Sequence, residues 1–468
     1  MNVILSKIFN AEHILKKHEK LGTLPSSAQL LKNTVKMAWP SILEGALMAL
    51  VGFIDLWMVS VLGDDVIAGV GLTSQPKLFC IAVFTALAPA VSAIVARRKG
   101  EEDRDSAIRV VKIALVAGSV IMIVISVLSV TFSNQLMLFA GSEPATHGHA
   151  VEYFNIIMGG MLFNVLTMII NAAQRGVGNT KISLTTNLTS NIVNIIFNYI
   201  LINGKLGFPV LGVRGAAIAT VMGSAVAFVM ALLSVMHVDG YIYLRRRVKN
   251  IFEKRSVKAL CSMGSSAFVE QIALRGGFLI YAIIVANLGK TAFAAHNIGI
   301  QFMAVSFAFG DGIAAAAIAL VGFSLGQRRS DIARVYGAFC QRIGLMFSIS
   351  LSLIFTVFGR ALFSLFSDTD QVLKDGETIM AFLSVILIVQ IIQLIYIGCL
   401  RGSGDVKYTA LVSLVGIGVI RPVLAFVLCS VLNYGVVGAW AGLIVDQLVR
   451  AVMVAVRFHR GRWTKIDI

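Results

Sequence analysis

The sequence predicts an all-α polytopic membrane protein, with twelve transmembrane helices in two six-helix bundles related by pseudo-two-fold symmetry. Three observations predict it. Apolar residues make up 57% of the 468 and charged residues only 14%, with a mean hydropathy of +0.85, where a soluble chain carries about 25% charged residues. Apolar runs longer than about 18 residues recur along the chain, each able to cross a hydrocarbon core roughly 30 Å thick. The chain also repeats itself. "QRGVGNTKIS", from Gln174, returns as "LRGSGDVKYT", so Arg175, Gly176, Gly178 and Lys181 reappear 226 residues on as Arg401, Gly402, Gly404 and Lys407.

Residues 1–36 form a cytoplasmic N-terminal segment without the continuous apolar core and small-residue cleavage site of a signal peptide. Ile4, Leu5, Ile8 and Phe9 interleave with Lys7, Glu12, Lys16 and Lys17. That pattern suits a short amphipathic helix on a membrane surface, or a disordered tail. The spans follow near 37–60, 70–96, 110–133, 152–174, 184–203 and 211–237, which make an N-lobe over 37–237. A basic cytoplasmic linker covers 238–258. The C-lobe, 259–457, holds spans near 259–287, 292–323, 336–359, 376–399, 408–432 and 435–457, and a cytoplasmic tail covers 458–468. Nothing alternates with period two as a membrane barrel would.

Charge sorts the loops. Arg97, Arg98, Lys99 and Arg104 lie on one side, with Arg245, Arg246 and Arg247, Arg328 and Arg329, and the C-terminal Arg457, Arg460 and Arg462. The alternate loops, such as "GDDVIAG" and "NYGVVG", are poor in base. The positive-inside rule puts the basic loops and both termini in the cytoplasm, in the inner or plasma membrane. The net charge of +16 is thus spread over short loops, and does not form the single basic face of a nucleic-acid binder.

Cys80, Cys261, Cys340, Cys399 and Cys429 lie singly, and the seven histidines form no ligand cluster. Neither a disulfide framework nor a metal site is expected. No cofactor is expected, and no nucleophile–base pair or Walker sequence suggests an enzyme or an ATP-driven pump. "RGVGNTK" lacks the Walker spacing and follows a membrane span; its glycines reverse the chain and its basic residues hold the turn inside.

The 226-residue shift also superposes Glu44 on Glu270, Ala68 on Ala294, Gly100 on Gly326 and Ala107 on Ala333. Six spans is an even number, so the two copies are parallel repeats about an axis along the membrane normal, as in secondary transporters.

A charge in mid-membrane costs at least about 2.5–3.5 kcal/mol, so each one needs a reason. Asp55, late in the first span, has no base close in sequence. Desolvation penalises a bare carboxylate, so such a group can take up a proton or alkali ion and release it on rewetting. Asn187, Asn191, Asn194 and Asn198 recur at intervals of 4, 3 and 4 on one helical face. They could bind helices together, or line a wet cavity. The second half carries Glu270, Arg275, Asp311, Gln390, Gln393, Arg421 and Asp446, among which Arg421 and Asp446 are expected to pair. Glu44 and Glu270, at equivalent positions, are expected to share a structural role.

Pro40 followed by Asp55, "MVSVLGDDVIAGVGL", "RGVGNTK", "GVRGAAIAT", "LVGFSLGQRRSDIA" and "LRGSGDVKYT" together resemble the multidrug and toxic compound extrusion (MATE) family over about residues 35–457, closest to its DinF-like branch. The resemblance implies twelve helices in two lobes about a V-shaped cleft. It also implies ion-coupled antiport of organic, often cationic, compounds out of the cytoplasm; the protein is expected to function as a monomer. It further implies a coupling site of Asp55, Asn194 and Thr220, with Asn198 where many relatives carry aspartate. The span-seven glutamate of the NorM-like branch falls on Leu274, and Ser266 replaces a usual proline. With one carboxylate in the site, H+ is the favoured ion and Na+ the alternative. Asn187, Asn191, Glu270, Arg275, Gln390 and Gln393 are the candidate cleft residues. The other transporter reading is a flippase for lipid-linked precursors.

Overall fold

The computed structural model describes residues 8–15, 19–60 and 64–468; within them the side chains of residues 49, 50, 52, 53, 55–57, 59, 60, 64 and 65 are not described. The side chain of Asp55 and much of the N-terminal pattern (Ile4, Leu5, Lys7, Lys16 and Lys17) therefore lie outside the described residues.

The described chain is helical. Ten helices are long and apolar enough to cross a membrane: α2 (Val66–Gly100), α3 (Arg104–Thr131), α4 (Pro144–Gly176), α6 (Gly212–Met236), α7 (Lys254–Ala286), α8 (Lys290–Gly326), α9 (Ser330–Ser364), α10 (Asp370–Ser403), α11 (Val406–Val431) and α12 (Gly435–His459). Two more, α1 (Ser27–Ser60) and α5 (Thr180–Asn203), have 34 and 24 residues. About 20 suffice to span. α1 begins ten residues before the apolar run at 37, and α7 begins inside the basic linker, because a helix continues past the hydrocarbon edge wherever nothing breaks it. α5 carries so many amides that hydropathy alone passes it over.

Helix ends follow local chemistry. Asp103 Oδ1 accepts the Ser106 N–H at 2.9 Å and starts α3. Glu143 and Thr146 form a capping box ahead of Pro144 at the first turn of α4, where proline's missing N–H costs nothing.

Chain contacts divide the protein into an N-terminal unit, Leu43–Cys261, and a C-terminal unit, Ser262–Ile468 together with Met1–Ile42. Within each unit the repeated segment has one construction. Gly178 and Gly404 take left-handed φ of +86° and +91°, a conformation that disfavours a Cβ. Gly176 and Gly402 act differently: a Cβ there would stand 2.6 Å from the Ser92 carbonyl oxygen and 2.6 Å from that of Ile318. The first glycine lets two helices touch backbone to backbone, and the second turns the chain.

The described part of the N-terminal segment packs into the protein. Phe9, Ala11 and Leu15 are buried in the C-terminal unit with Ile332, Val335 and Phe339. The Phe9 and Phe339 rings meet edge to face at 5.3 Å. Arg334 binds Glu19 at 2.7 Å, and Asp331 accepts the Leu21 N–H at 3.2 Å. A ring that fits between packed side chains gains dispersion contacts that a headgroup layer cannot supply. At the other end Trp463 is fully buried, stacked on Phe458 at 4.9 Å.

Candidate ion and charge sites

In the N-terminal unit, α5 and α6 run unusually close. A Cβ on Gly223 would lie 2.6 Å from the Ser190 carbonyl oxygen, and one on Gly215 2.7 Å from that of Leu201. Small residues at such crossings are how membrane helices gain contact when lipid is as apolar as leucine. The approach sets Thr220 beside Asn194, whose Nδ2 donates to Thr220 Oγ1 at 3.1 Å. Asn198 Nδ2 donates to Asn194 Oδ1 at 3.2 Å, and Thr220 Oγ1 donates to the Ala216 carbonyl at 3.0 Å. Three residues named from the sequence thus form one hydrogen-bonded row, with Asn194 and Asn198 buried. Amide and hydroxyl oxygens at this spacing can meet a hard cation or a protonated carboxyl.

The asparagine stripe divides in two. About two turns from that row, Asn187 donates not into it but to Glu44 Oε1. Asn191 makes no side-chain hydrogen bond among the described residues. Glu44 is buried; its carboxylate also accepts from Ser183 Oγ at 2.9 and 3.0 Å, and Ser183 in turn accepts from Arg175 Nη1 at 2.6 Å. Arg175 stands 3.6 Å from Glu44 Oε1.

The C-terminal unit repeats this arrangement. Glu270, 1% exposed, pairs with Arg401 Nη2 at 3.0 Å. It accepts from Thr409 Oγ1 at 3.1 Å and Ser413 Oγ at 2.8 Å. Ser183 and Thr409 each lie 139 residues from their glutamate, and Asn187 and Ser413 each lie 143. Arg175 and Arg401, read from the sequence as turn markers, point inward. Continuing the same register from the turn to Thr409 and Ser413 would have revealed the pairing.

Arg421 and Asp446 pair as expected: Arg421 Nη2 and Nε lie 2.7 and 3.0 Å from Asp446 Oδ2. The sequence reading missed Arg450, four residues on, whose Nε and Nη2 bind the same carboxylate at 2.9 and 3.1 Å. Gly416 leaves room for the Arg450 stem, since a Cβ there would overlap it. Of the other named residues, Gln390 and Gln393 are 1% exposed inside the C-terminal unit, with all four side-chain polar atoms unpartnered among the described residues. Arg275 is half-buried and makes no hydrogen bond or ion pair among them, and Asp311 is exposed on α8.

Two repeated helical units with polar residues buried inside their spans define a multi-pass membrane protein of secondary-transporter type. The MatE family profile matches the chain twice, over residues 40–200 and again over 266–427, a second start 226 residues after the first. The chain belongs to the MATE family and is a transporter rather than an enzyme. Among curated relatives it is 26% identical to the "Probable multidrug resistance protein NorM" of Thermotoga maritima over 443 residues, covering 93% of this chain and 94% of that one. It is also 26% identical to the "Uncharacterized transporter YisQ" of Bacillus subtilis, covering 95% and 97%. A solved structure described as the outward-facing conformation of a multidrug resistance MATE family transporter superposes with a TM-score of 0.86 at 20% identity, covering 95% of this chain and all of that one.

Proposed function

We propose that this transporter exports amphiphilic or cationic organic compounds by alternating access, driven by inward movement of H+, from a plasma or inner membrane with both termini in the cytoplasm. The observation that carries the reading is the row Asn198, Asn194 and Thr220, gathered by the glycine-mediated approach of α5 and α6. The names of its NorM relatives support multidrug export. Asp55, on α1, supplies the titrating group of this proposal. In this proposal the site combines one carboxylate with neutral amides and a hydroxyl, so one bound proton brings it to zero charge at little cost.

The buried arginines favour export of organic compounds over the flippase reading. Arg401, Arg421 and Arg450 are paired with Glu270 and Asp446, three guanidiniums to two carboxylates, which leaves one positive charge in excess, too little for a pyrophosphate group.

Vesicles holding the purified protein test the reading. Uptake of a fluorescent organic cation driven by a proton gradient alone is expected, and its loss in Asp55→Asn with the fold retained. Uptake driven only by a sodium gradient would replace H+ with Na+; undiminished transport by Asp55→Asn would remove Asp55 from the mechanism.

A further inference from the structure

The Arg421–Asp446–Arg450 group holds two guanidiniums and one carboxylate, none more than 4% exposed. Asp446 is saturated, because four N–H groups from the two arginines converge on its two oxygens. The next carboxylate, Glu270, is held by Arg401, Thr409 and Ser413.

One nitrogen of Arg421 is left over. Its Nη1 is buried and has no partner among the described residues, and the same is true of Trp440 Nε1 and His296 Nδ1. These groups share one aromatic cluster. The Arg421 guanidinium lies 4.6 Å from the Phe278 ring centre and 5.8 Å from that of Tyr281. His296 meets Tyr281 at 5.3 Å and Trp440 at 5.7 Å. The Tyr281 hydroxyl is already committed to the Ala439 carbonyl at 3.0 Å. Arg Nη1 and Trp Nε1 can only donate, and a buried donor without an acceptor is costly. Around Arg421 the backbone widens into π-helix at Leu414–Ile420 and Val427–Val431, a distortion frequent at functional sites. The N-terminal unit has Ile195 at the position equivalent to Arg421, so this feature belongs to one repeat only.

We propose that the C-terminal unit binds a monovalent anion at Arg421 Nη1 and Trp440 Nε1, either chloride or the carboxylate of a small organic acid. Two buried donors and an excess guanidinium call for an acceptor with negative charge, and the rings packed around Arg421 and His296 favour a small one.

The test uses the full-length protein in detergent, in sulfate buffer at constant ionic strength, titrated separately with chloride, bromide and acetate. Stabilisation by binding should raise the unfolding midpoint with the logarithm of anion concentration once that exceeds the dissociation constant, by roughly 2–4 °C. A response to the halides assigns chloride, and a response to acetate alone assigns a carboxylate. Trp440→Phe removes the N–H together with part of the buried indole, so its midpoint in anion-free buffer should fall; measured from that lower baseline, the apparent affinity should weaken by at least about fivefold, and Arg421→Gln should abolish the response. Crystals grown in bromide should show an anomalous peak beside Arg421 Nη1. A flat midpoint with all three anions, or an unchanged titration in Trp440→Phe, would overturn the proposal.

Discussion

Arg401 Nη2 lies 3.0 Å from Glu270 Oε1 in the C-terminal unit, and the residues at the same repeat positions, Arg175 and Glu44, face each other at 3.6 Å in the N-terminal unit. Each arginine side chain is 19% exposed, whereas the glutamates are 2% and 10% exposed. The arginine therefore reaches in from the turn to a carboxylate that cannot reach water. An Arg-Gly-x-Gly turn thus ties the fourth helix of each unit to its first.

Removing one partner from such a pair strands the other. Glu270→Ala should destabilise the protein by about 3–5 kcal/mol, read as a lower unfolding midpoint in detergent. Combining Glu270→Met with Arg401→Met should recover part of that loss, since no buried charge is left unmatched. Additive losses in the double variant would mean the pair is not coupled.

The two glycines of the turn should fail for different reasons. Gly402→Ala drives a Cβ into the Ile318 carbonyl and should cost about 1–3 kcal/mol by overpacking. Gly404→Ala meets most closely the movable end of the Ile468 side chain, at 3.0 Å, and its main cost is the left-handed conformation, at about 1–2 kcal/mol. Gly159→Ala, with nothing within 4 Å of the new methyl, is the neutral control for thermal unfolding.

Along α5 two asparagines should separate function from stability. Asn194→Ala is expected to cut ion-driven uptake by about tenfold, equivalent to 1.4 kcal/mol, with a near-native unfolding midpoint. Asn187→Ala, which loses a donor to Glu44, should lower the midpoint. Equal effects of both on transport would break the distinction drawn between the two ends of the stripe.

The cap at Asp103 predicts a pH effect outside the membrane. Burial opposes its charge, but the Ser106 backbone N–H and hydroxyl, with Arg109 and Arg98, outweigh that and hold its carboxyl below the usual aspartate range. A lowered folded-state value means the stabilisation is fully present above the unfolded value near ~3.9, and is lost as pH falls through the lower folded one. Asp103→Ala should cost about 0.5–2 kcal/mol at neutral pH and flatten the acid limb of the stability curve. An acid limb identical to wild type would exclude the cap as its source.

Phe9→Ala should loosen the N-terminal segment from α9. Loss of a buried phenylalanine costs about 3–5 kcal/mol, and limited proteolysis should cleave the segment faster. An unchanged cleavage rate would show that it docks without the ring.

The sequence alone determined the class, the helix count and the duplication, because hydrophobic length and a constant repeat spacing are one-dimensional signals. It also picked out Asn194, Asn198 and Thr220, through a resemblance carried by short motifs. Apart from the Arg421–Asp446 pair, tertiary structure decided what the polar residues bind. Arg175 reads as a turn marker until Glu44, 131 residues earlier in the numbering, is brought beside it. Arg450 goes unremarked in the sequence until Asp446 is seen holding two guanidiniums. In a membrane interior, where water offers no alternative partner, the worth of a charged side chain depends on which other helix meets it. That contact is set by where glycines let backbones approach, and no periodicity along the chain records it.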